Sequence, residues 1–183
     1  MRQLDHYETL LKMPKLDIDC VLYICNVSVE NLGLILRSAD IFGVNAVYYR
    51  QNNQIVKNKQ LLKLSRNSSI PIYFTGELSS LFNLKNSGYQ IAALEITDTS
   101  IPLRLGSFSQ KTCLVVGNEK NGIPREVLDI ADYSYHIEMI GDRISSLNVS
   151  IATSIALYEI TKRPLNKIKP CKEPTSFPNK SID

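Results

Sequence analysis

Short runs of β-forming residues recur along this chain, and helical patterns separate them. The runs are CVLYIC (20–25), NAVYYR (45–50), IPIYF (70–74), YQIAALEI (89–96), TCLVVG (112–117) and YSYHIEM (133–139). After the first, ENLGLILRSADIFG puts Leu32, Ile35, Leu36, Ala39 and Phe42 on one side of a helix. VKNKQLLKLSRN repeats the pattern more weakly, and ELSSLFNLKNSG stops at Gly88 as a helix C-terminus does. IPREVLDIA opens with Pro124, whose missing N–H costs nothing in a first helical turn. A last helix runs from about Leu147 to Arg163 and is stopped by Pro164. Strands alternating with helices at this spacing predict an α/β fold, a mainly parallel sheet covered by helices on both faces.

A chain of 183 residues suits one domain with a real core. The alternating pattern occupies 20–163, after a short extension, 1–19. Residues 164–183 hold Pro164, Pro170, Pro174 and Pro178 and few apolar side chains, so they read as a basic, flexible tail. MRQLDHYETLLKMPK lacks an apolar signal core, and no run approaches the roughly 20 apolar residues of a membrane span. The expectation is a cytoplasmic protein with no membrane partner. Cys20, Cys25, Cys113 and Cys171 have no metal-type spacing and read as reduced thiols, so no metal is expected. Net charge is only +3, but Arg50, Lys57, Lys59, Lys63 and Arg66 fall in a stretch without an acid. Such a cluster suits a solvated helix face or a phosphate backbone.

In open α/β sheets the ligand site lies outside the carboxyl ends of the strands. Three turns there are unusually polar. The first, NVSVENLGLILRSAD, places Asn26, Ser28, Glu30 and Asn31 around a helix start and Arg37 in its otherwise apolar body. Arg37 either reaches out to water or is held for an anion. The second, VGNEKNGIPREV, spaces Gly117 and Gly122 as a P-loop does. Ile123 and Pro124 then stand where the phosphate-binding Lys and Ser/Thr would be. Its glycines would let the backbone approach a ligand, and Glu119 argues for a neutral or cationic one over a polyphosphate. A plain turn with a solvated glutamate is the other reading. The third, IEMIGDRISSLNVSIATSIALYEI, opens a helix with Ser145, Ser146 and Asn148. One serine serves as the N-cap, which would leave Asn148 inside the first turn, bonding locally or belonging to a site.

Taken in order, these turns resemble the three motifs of the SpoU (TrmH-type) branch of the SPOUT RNA methyltransferases. The resemblance covers about residues 20–163. NLGLILRSADIFGV matches the family's Asn-x-Gly motif with its later Arg, VVGNEKNGI the Gly-x-Glu motif, and IEMIGDRISSLNVSIA the Ser-Leu-Asn-Val-Ser motif. Glu138 replaces the usual proline, and the segment from Ile137 to Leu147 is one residue longer than the family pattern. The resemblance implies an S-adenosylmethionine-dependent methyltransferase acting on a ribose 2′-hydroxyl of tRNA or rRNA, tRNA being favoured. It also implies a homodimer and a C-terminal deep trefoil knot. The implied cofactor residues are Leu94, Gly117, Ile137, Met139 and Leu147. The implied reacting centre is Asn31, Arg37, Glu119, Ser146 and Asn148, with the first motif of one subunit beside the partner's cofactor. Arginine is a poor base, so Arg37 is expected to position RNA and stabilise the developing alkoxide. Lys57, Lys59, Lys63 and Arg66 would join it in holding RNA. Two alternatives remain at this point: an inactive RNA-binding module retaining the knot, and a flavodoxin-like nucleotide binder.

Overall fold

The computed structural model describes residues 19–51, 65, 68–142 and 146–162. Lys57, Lys59, Lys63, Arg66, most of the helix expected over 56–67, Ser145, and nearly all of the segments 1–19 and 164–183 lie outside these residues. The strands are β1 (Asp19–Cys25), β2 (Ala46–Arg50), β3 (Ile72–Thr75), β4 (Gln90–Leu94), β5 (Ile101–Pro102), β6 (Lys111–Val116) and β7 (Tyr133–His136). The helices are α1 (Val29–Ile41), α2 (Ser79–Asn86), α3 (Arg125–Leu128) and α4 (Val149–Thr161), with a 3-10 turn at Leu103–Leu105. The sheet is ordered β3-β2-β1-β6-β4-β7-β5, and every pairing in it is parallel.

Burial along the strands explains this order. DCVLYIC and KTCLVV are apolar without alternation and buried on both faces, so β1 and β6 occupy the middle. AVYYR alternates, burying Val47 and Tyr49, and the flanking β3 is half exposed. Cys20, Leu22 and Ile24 pack with Leu32, Ile35, Leu36 and Ala39 of α1 and Ala156, Leu157 and Ile160 of α4. The alternate residues, Val21, Tyr23 and Cys25, pack with Leu81 and Leu84 of α2 and Val127 of α3. Helices therefore cover both faces, as expected. Cys20, Cys25 and Cys113 are buried free thiols, and none of the described helices is long and apolar enough to cross a membrane.

Some boundaries differ from expectation. β5 is an added edge strand of two residues, one of them a proline. β7 ends at His136, and Ile137–Met139 continue outside the ladder. α3 has four residues, and Pro124 precedes it in an extended conformation as its N-cap, not inside its first turn. Gly88, at φ +87°, closes α2 as expected: its N–H reaches Lys85 O, and Tyr89 N–H reaches Leu84 O.

One row of residues fixes where the site can be built. Tyr49, Ile24, Val116, Leu94 and Tyr135 are successive register partners across β2, β1, β6, β4 and β7. The chain leaves the sheet just beyond this row, so the polar turns emerge side by side, about 4.8 Å apart per strand.

Candidate active site

Residues from the three turns converge above β1 and β6. Ser28 caps α1, its hydroxyl accepting from Asn31 N–H at 3.2 Å, which points the first turn of the helix toward the glycine turn. The Asn31 amide donates to Glu119 Oε1. Asn148 Nδ2 donates to Asn31 Oδ1 at 3.0 Å. Asn148 Oδ1 accepts from Ser150 N–H at 2.9 Å and from Ser150 Oγ at 2.6 Å. Asn148, not a serine, is thus the N-cap of α4. It lies before the first turn, because its oxygen faces the helix while its amide faces the site. Every donor in this chain of amides points toward the Glu119 carboxylate.

The glycine turn closes on itself. Asn118 and Gly122 exchange both backbone hydrogen bonds, at 3.0 and 2.8 Å, and Asn118 Oδ1 takes the N–H groups of Lys120 and Asn121 at 2.9 and 3.3 Å. A phosphate loop needs such N–H groups free, so this turn is not one. The glycines allow the turn's own packing. A Cβ on Gly117 would overlap the backbone of Gly122 and Ile123, and Gly122, at φ +64°, leaves room for Glu95.

Glu95 was not among the expected residues. It follows β4 and binds Ile123 N–H with Oε2 at 2.8 Å and Ile96 N–H with Oε1 at 3.1 Å, tying the glycine turn to the end of β4. A lone acid closing the apolar run IAAL was its only signal in the sequence.

Beside Glu95 opens a cleft of about 140 Å³ between the ends of β4 and β7 and the entry to α4. Leu94, Ile137, Met139 and Leu147, all expected cofactor residues, form its apolar walls, and Ser146 and His136 add polar groups. Gly117 is not among its lining residues. Glu138 turns away to an ion pair with Arg104, whose hydrogen bond lowers the carboxyl's pKa. The substitution for proline therefore leaves no side chain in the cleft.

Arg37 stands apart from the amide chain. It lies on the exposed side of α1, and among the described residues it has no hydrogen bond or ion pair. Leu34 and Ile41, one turn to either side, are exposed too.

Residues 21–158 match the SpoU rRNA Methylase family. The chain belongs to that family. This SpoU chain is 31% identical over 138 residues to the tRNA (guanosine(18)-2'-O)-methyltransferase of Escherichia coli (strain K12), which covers 75% of this chain and 60% of that one. It is 33% identical over 148 residues to the enzyme of the same name from Aquifex aeolicus, covering 79% and 70%. Among solved structures, the SpoU chain matches an A. aeolicus TrmH/SpoU tRNA modifying enzyme with a TM-score of 0.72 and 33% identity, over 83% of this chain and 77% of that one. It matches an AdoMet-bound rRNA methyltransferase from Sinorhizobium meliloti with the same TM-score and 27% identity, over 80% and 57%. The SpoU chain thus spans about 60% of the length of the first of these relatives.

Proposed function

We propose that this protein transfers a methyl group from S-adenosylmethionine to a ribose 2′-hydroxyl of RNA. The observation that carries the reading is the amide chain from Asn148 through Asn31 to Glu119, set next to an apolar cleft that suits the cofactor. The fit is chemical. Leu94, Ile137 and Leu147 can sandwich a flat base, and the backbone of Ile137–Met139, bonded to no described backbone group, can read its edge. The carboxylate of Glu95 opposes a phosphate and suits a cation. S-adenosylmethionine, when bound, supplies an electrophilic methyl group on a cationic sulfonium.

The chain's own residues then have three tasks. Glu119, fixed by Asn31, accepts a hydrogen bond from the target nucleotide and holds its ribose at the mouth of the cleft. Asn148 fixes Asn31 and is itself fixed by the helix it caps, so the array costs little reorganisation at the moment of reaction. Arg37 binds the target phosphate and stabilises the alkoxide as the hydroxyl proton leaves to a phosphate oxygen or water. Holding the ribose hydroxyl in line with the methyl group that the cofactor would supply is worth roughly 7–11 kcal/mol in such a site.

Arg37 reaches this centre from a second copy of the chain. Leu34 and Ile41 flank it on α1, and Ile151, Ile155 and Tyr158 make an exposed stripe on the neighbouring α4. Phe42 meets Tyr158 edge to face and Ser38 meets Ser154 at 2.8 Å, so the two stripes form one apolar surface. A homodimer covers it and brings Arg37 to the partner's cleft. The knot is part of the same reading: after β7, inserted between β4 and β5, the chain must return to lay α4 on α1. For the substrate we favour tRNA over rRNA, two of the relatives being named for tRNA, and for the compartment the cytoplasm.

Calorimetric titration with S-adenosylmethionine, followed by labelled methyl transfer to bulk tRNA and rRNA, tests the proposal. Binding near one per subunit, with transfer abolished by Arg37→Ala, is expected. RNA binding without cofactor binding would instead indicate an inactive RNA-binding module.

A further inference from the structure

A second cavity lies on the other side of the amide chain from the cofactor cleft. It has about 190 Å³ and is lined by Cys25, Asn26, Arg50, Asn118, Asn121, Gly122, Pro124 and Glu126, at the ends of β1 and β2. We infer that this cavity receives a nucleobase of the RNA substrate, read by Arg50, Glu126 and the side chains of Asn26 and Asn121. The inference rests on the methyltransferase reading and adds to it a specificity pocket.

Arg50 supplies the first argument. Its Nη2 bonds Glu126 Oε1 at 3.1 Å, but its Nε is buried with no hydrogen-bond partner. An unpaired buried donor in a native fold calls for an acceptor, and a cavity beside it is where one would enter. The Glu126 carboxylate, half exposed at the cavity, has further acceptor positions for a donor. The side-chain amides of Asn26 and Asn121 make no hydrogen bond to a described residue, and each can give or take one.

Charge balance selects the ligand. Arg50 is matched by Glu126, whose pKa is lowered by its own backbone N–H and then by the Arg50 guanidinium, and Glu119 is close by in the same turn. A phosphate would face the Glu126 carboxylate and an arginine already shared with it. A base edge offers donors beside acceptors and matches such a mixed lining, as single-stranded RNA bases are usually read. Burial pushes the Cys25 thiol up to about 12, so the floor beneath is neutral.

Backbone geometry is committed to this shape. Asn26 adopts φ 50°, the left-handed region that non-glycine residues seldom visit. Its N–H reaches Arg50 O at 2.9 Å, and its carbonyl accepts from Asn118 Nδ2 at 2.6 Å. Strain held in place by two hydrogen bonds is what a preformed binding site requires. Asn118 also precedes Glu119, so the cavity wall and the reacting carboxylate share one rigid turn. The cavity lies by β1 and β2 and the cofactor cleft by β4 and β7, with Glu119 at β6 between them. A ribose at Glu119 can thus send its own base, or that of the adjoining nucleotide, into the cavity.

The test uses full-length protein saturated with S-adenosylhomocysteine, to which guanosine, adenosine, cytidine, uridine and inorganic phosphate are added separately while amide and Arg Nε–H resonances are followed. Saturable shifts at Asn26, Asn121 and Arg50 Nε with at least one nucleoside, not displaced by phosphate, are expected. Asn121→Ala, which removes only an exposed side chain, should weaken that binding about ten-fold, as should Arg50→Met. Both variants should raise KM for RNA with S-adenosylhomocysteine affinity unchanged. No shift with any nucleoside would overturn the inference, and phosphate binding at Arg50 would replace it with an anion site. Failure of the methyltransferase reading would appear separately, as no S-adenosylhomocysteine bound to the starting sample.

Discussion

Asn148 holds two structures together at once: its oxygen caps α4 through Ser150 N–H at 2.9 Å, and its amide bonds Asn31 at 3.0 Å. The two halves of that role are separable. Asn148→Ser keeps a capping oxygen and loses the amide, so urea unfolding should match wild type within about 0.5 kcal/mol, while methyl transfer falls about ten- to a hundred-fold. Asn148→Ala should lose both, with about 1 kcal/mol of stability. Equal activity in the serine variant would remove the amide chain from the mechanism.

Gly117 is required by packing. Gly117→Ala drives a methyl group into the backbone of Gly122 and Ile123, at a cost of about 1–3 kcal/mol. Gly141→Ala meets nothing within 4 Å and should be neutral. Thermal unfolding of the pair is the check, the first melting several degrees lower.

Glu95 acts through the turn that it holds. In Glu95→Gln an amide group must face Ile123 N–H or Ile96 N–H, donor against donor, and the glycine turn loosens from β4. S-adenosylhomocysteine affinity should drop about ten-fold by calorimetry, and kcat should fall as well because Glu119 rides on the same turn. A change confined to the KM for RNA would assign Glu95 some other role.

Alkaline pH should unfold the protein from its core. Burial raises the thiols of Cys20 and Cys25 from 9.0 to about 12, and the phenol of Tyr23 to about 12. These groups are neutral in the folded state while the unfolded chain ionises, so their stability is complete below pH 9 and is lost as pH rises toward 12. The urea midpoint should decline from about pH 9 upward, and less steeply in Cys20→Ala. A steeper decline in that variant would contradict the assignment.

The apolar surface of α1 and α4 gives a test of assembly. If α1 and α4 pair with a second copy as proposed, Ile151→Glu, at a half-exposed position of that face, should convert a dimer to a monomer in sedimentation. Mixing Arg37→Ala with Asn148→Ala subunits should then restore about a quarter of wild-type transfer, since half the dimers are mixed and each carries one intact site. No recovery would place Arg37 in the site of its own subunit.

How far the sequence could be read depended on whether a residue's partners were near in the chain. β1 and β6 were legible because an apolar run without alternation has one use in an α/β fold, and Gly88 because a helix end is local. β5 was not, as two residues at a sheet edge carry no periodicity. Asn31, Glu119 and Asn148 were visible as motif residues, but their joining depends on separations of 88 and 117 residues. Glu95 was missed for the same reason, its partner Ile123 lying 28 residues on. The cavity at Arg50 had no sequence signal apart from a basic stretch that pointed to phosphate.

The place of β6 in the sheet has a consequence for synthesis. It pairs with β1 on one side and β4 on the other, yet it spans residues 111–116. A ribosome must therefore deliver β6 before β4 can be joined to the group of β1, β2 and β3. Until then β1 carries a bare ladder edge, the kind of surface that nascent chains aggregate through. Demand for chaperones should peak just before Val116 emerges.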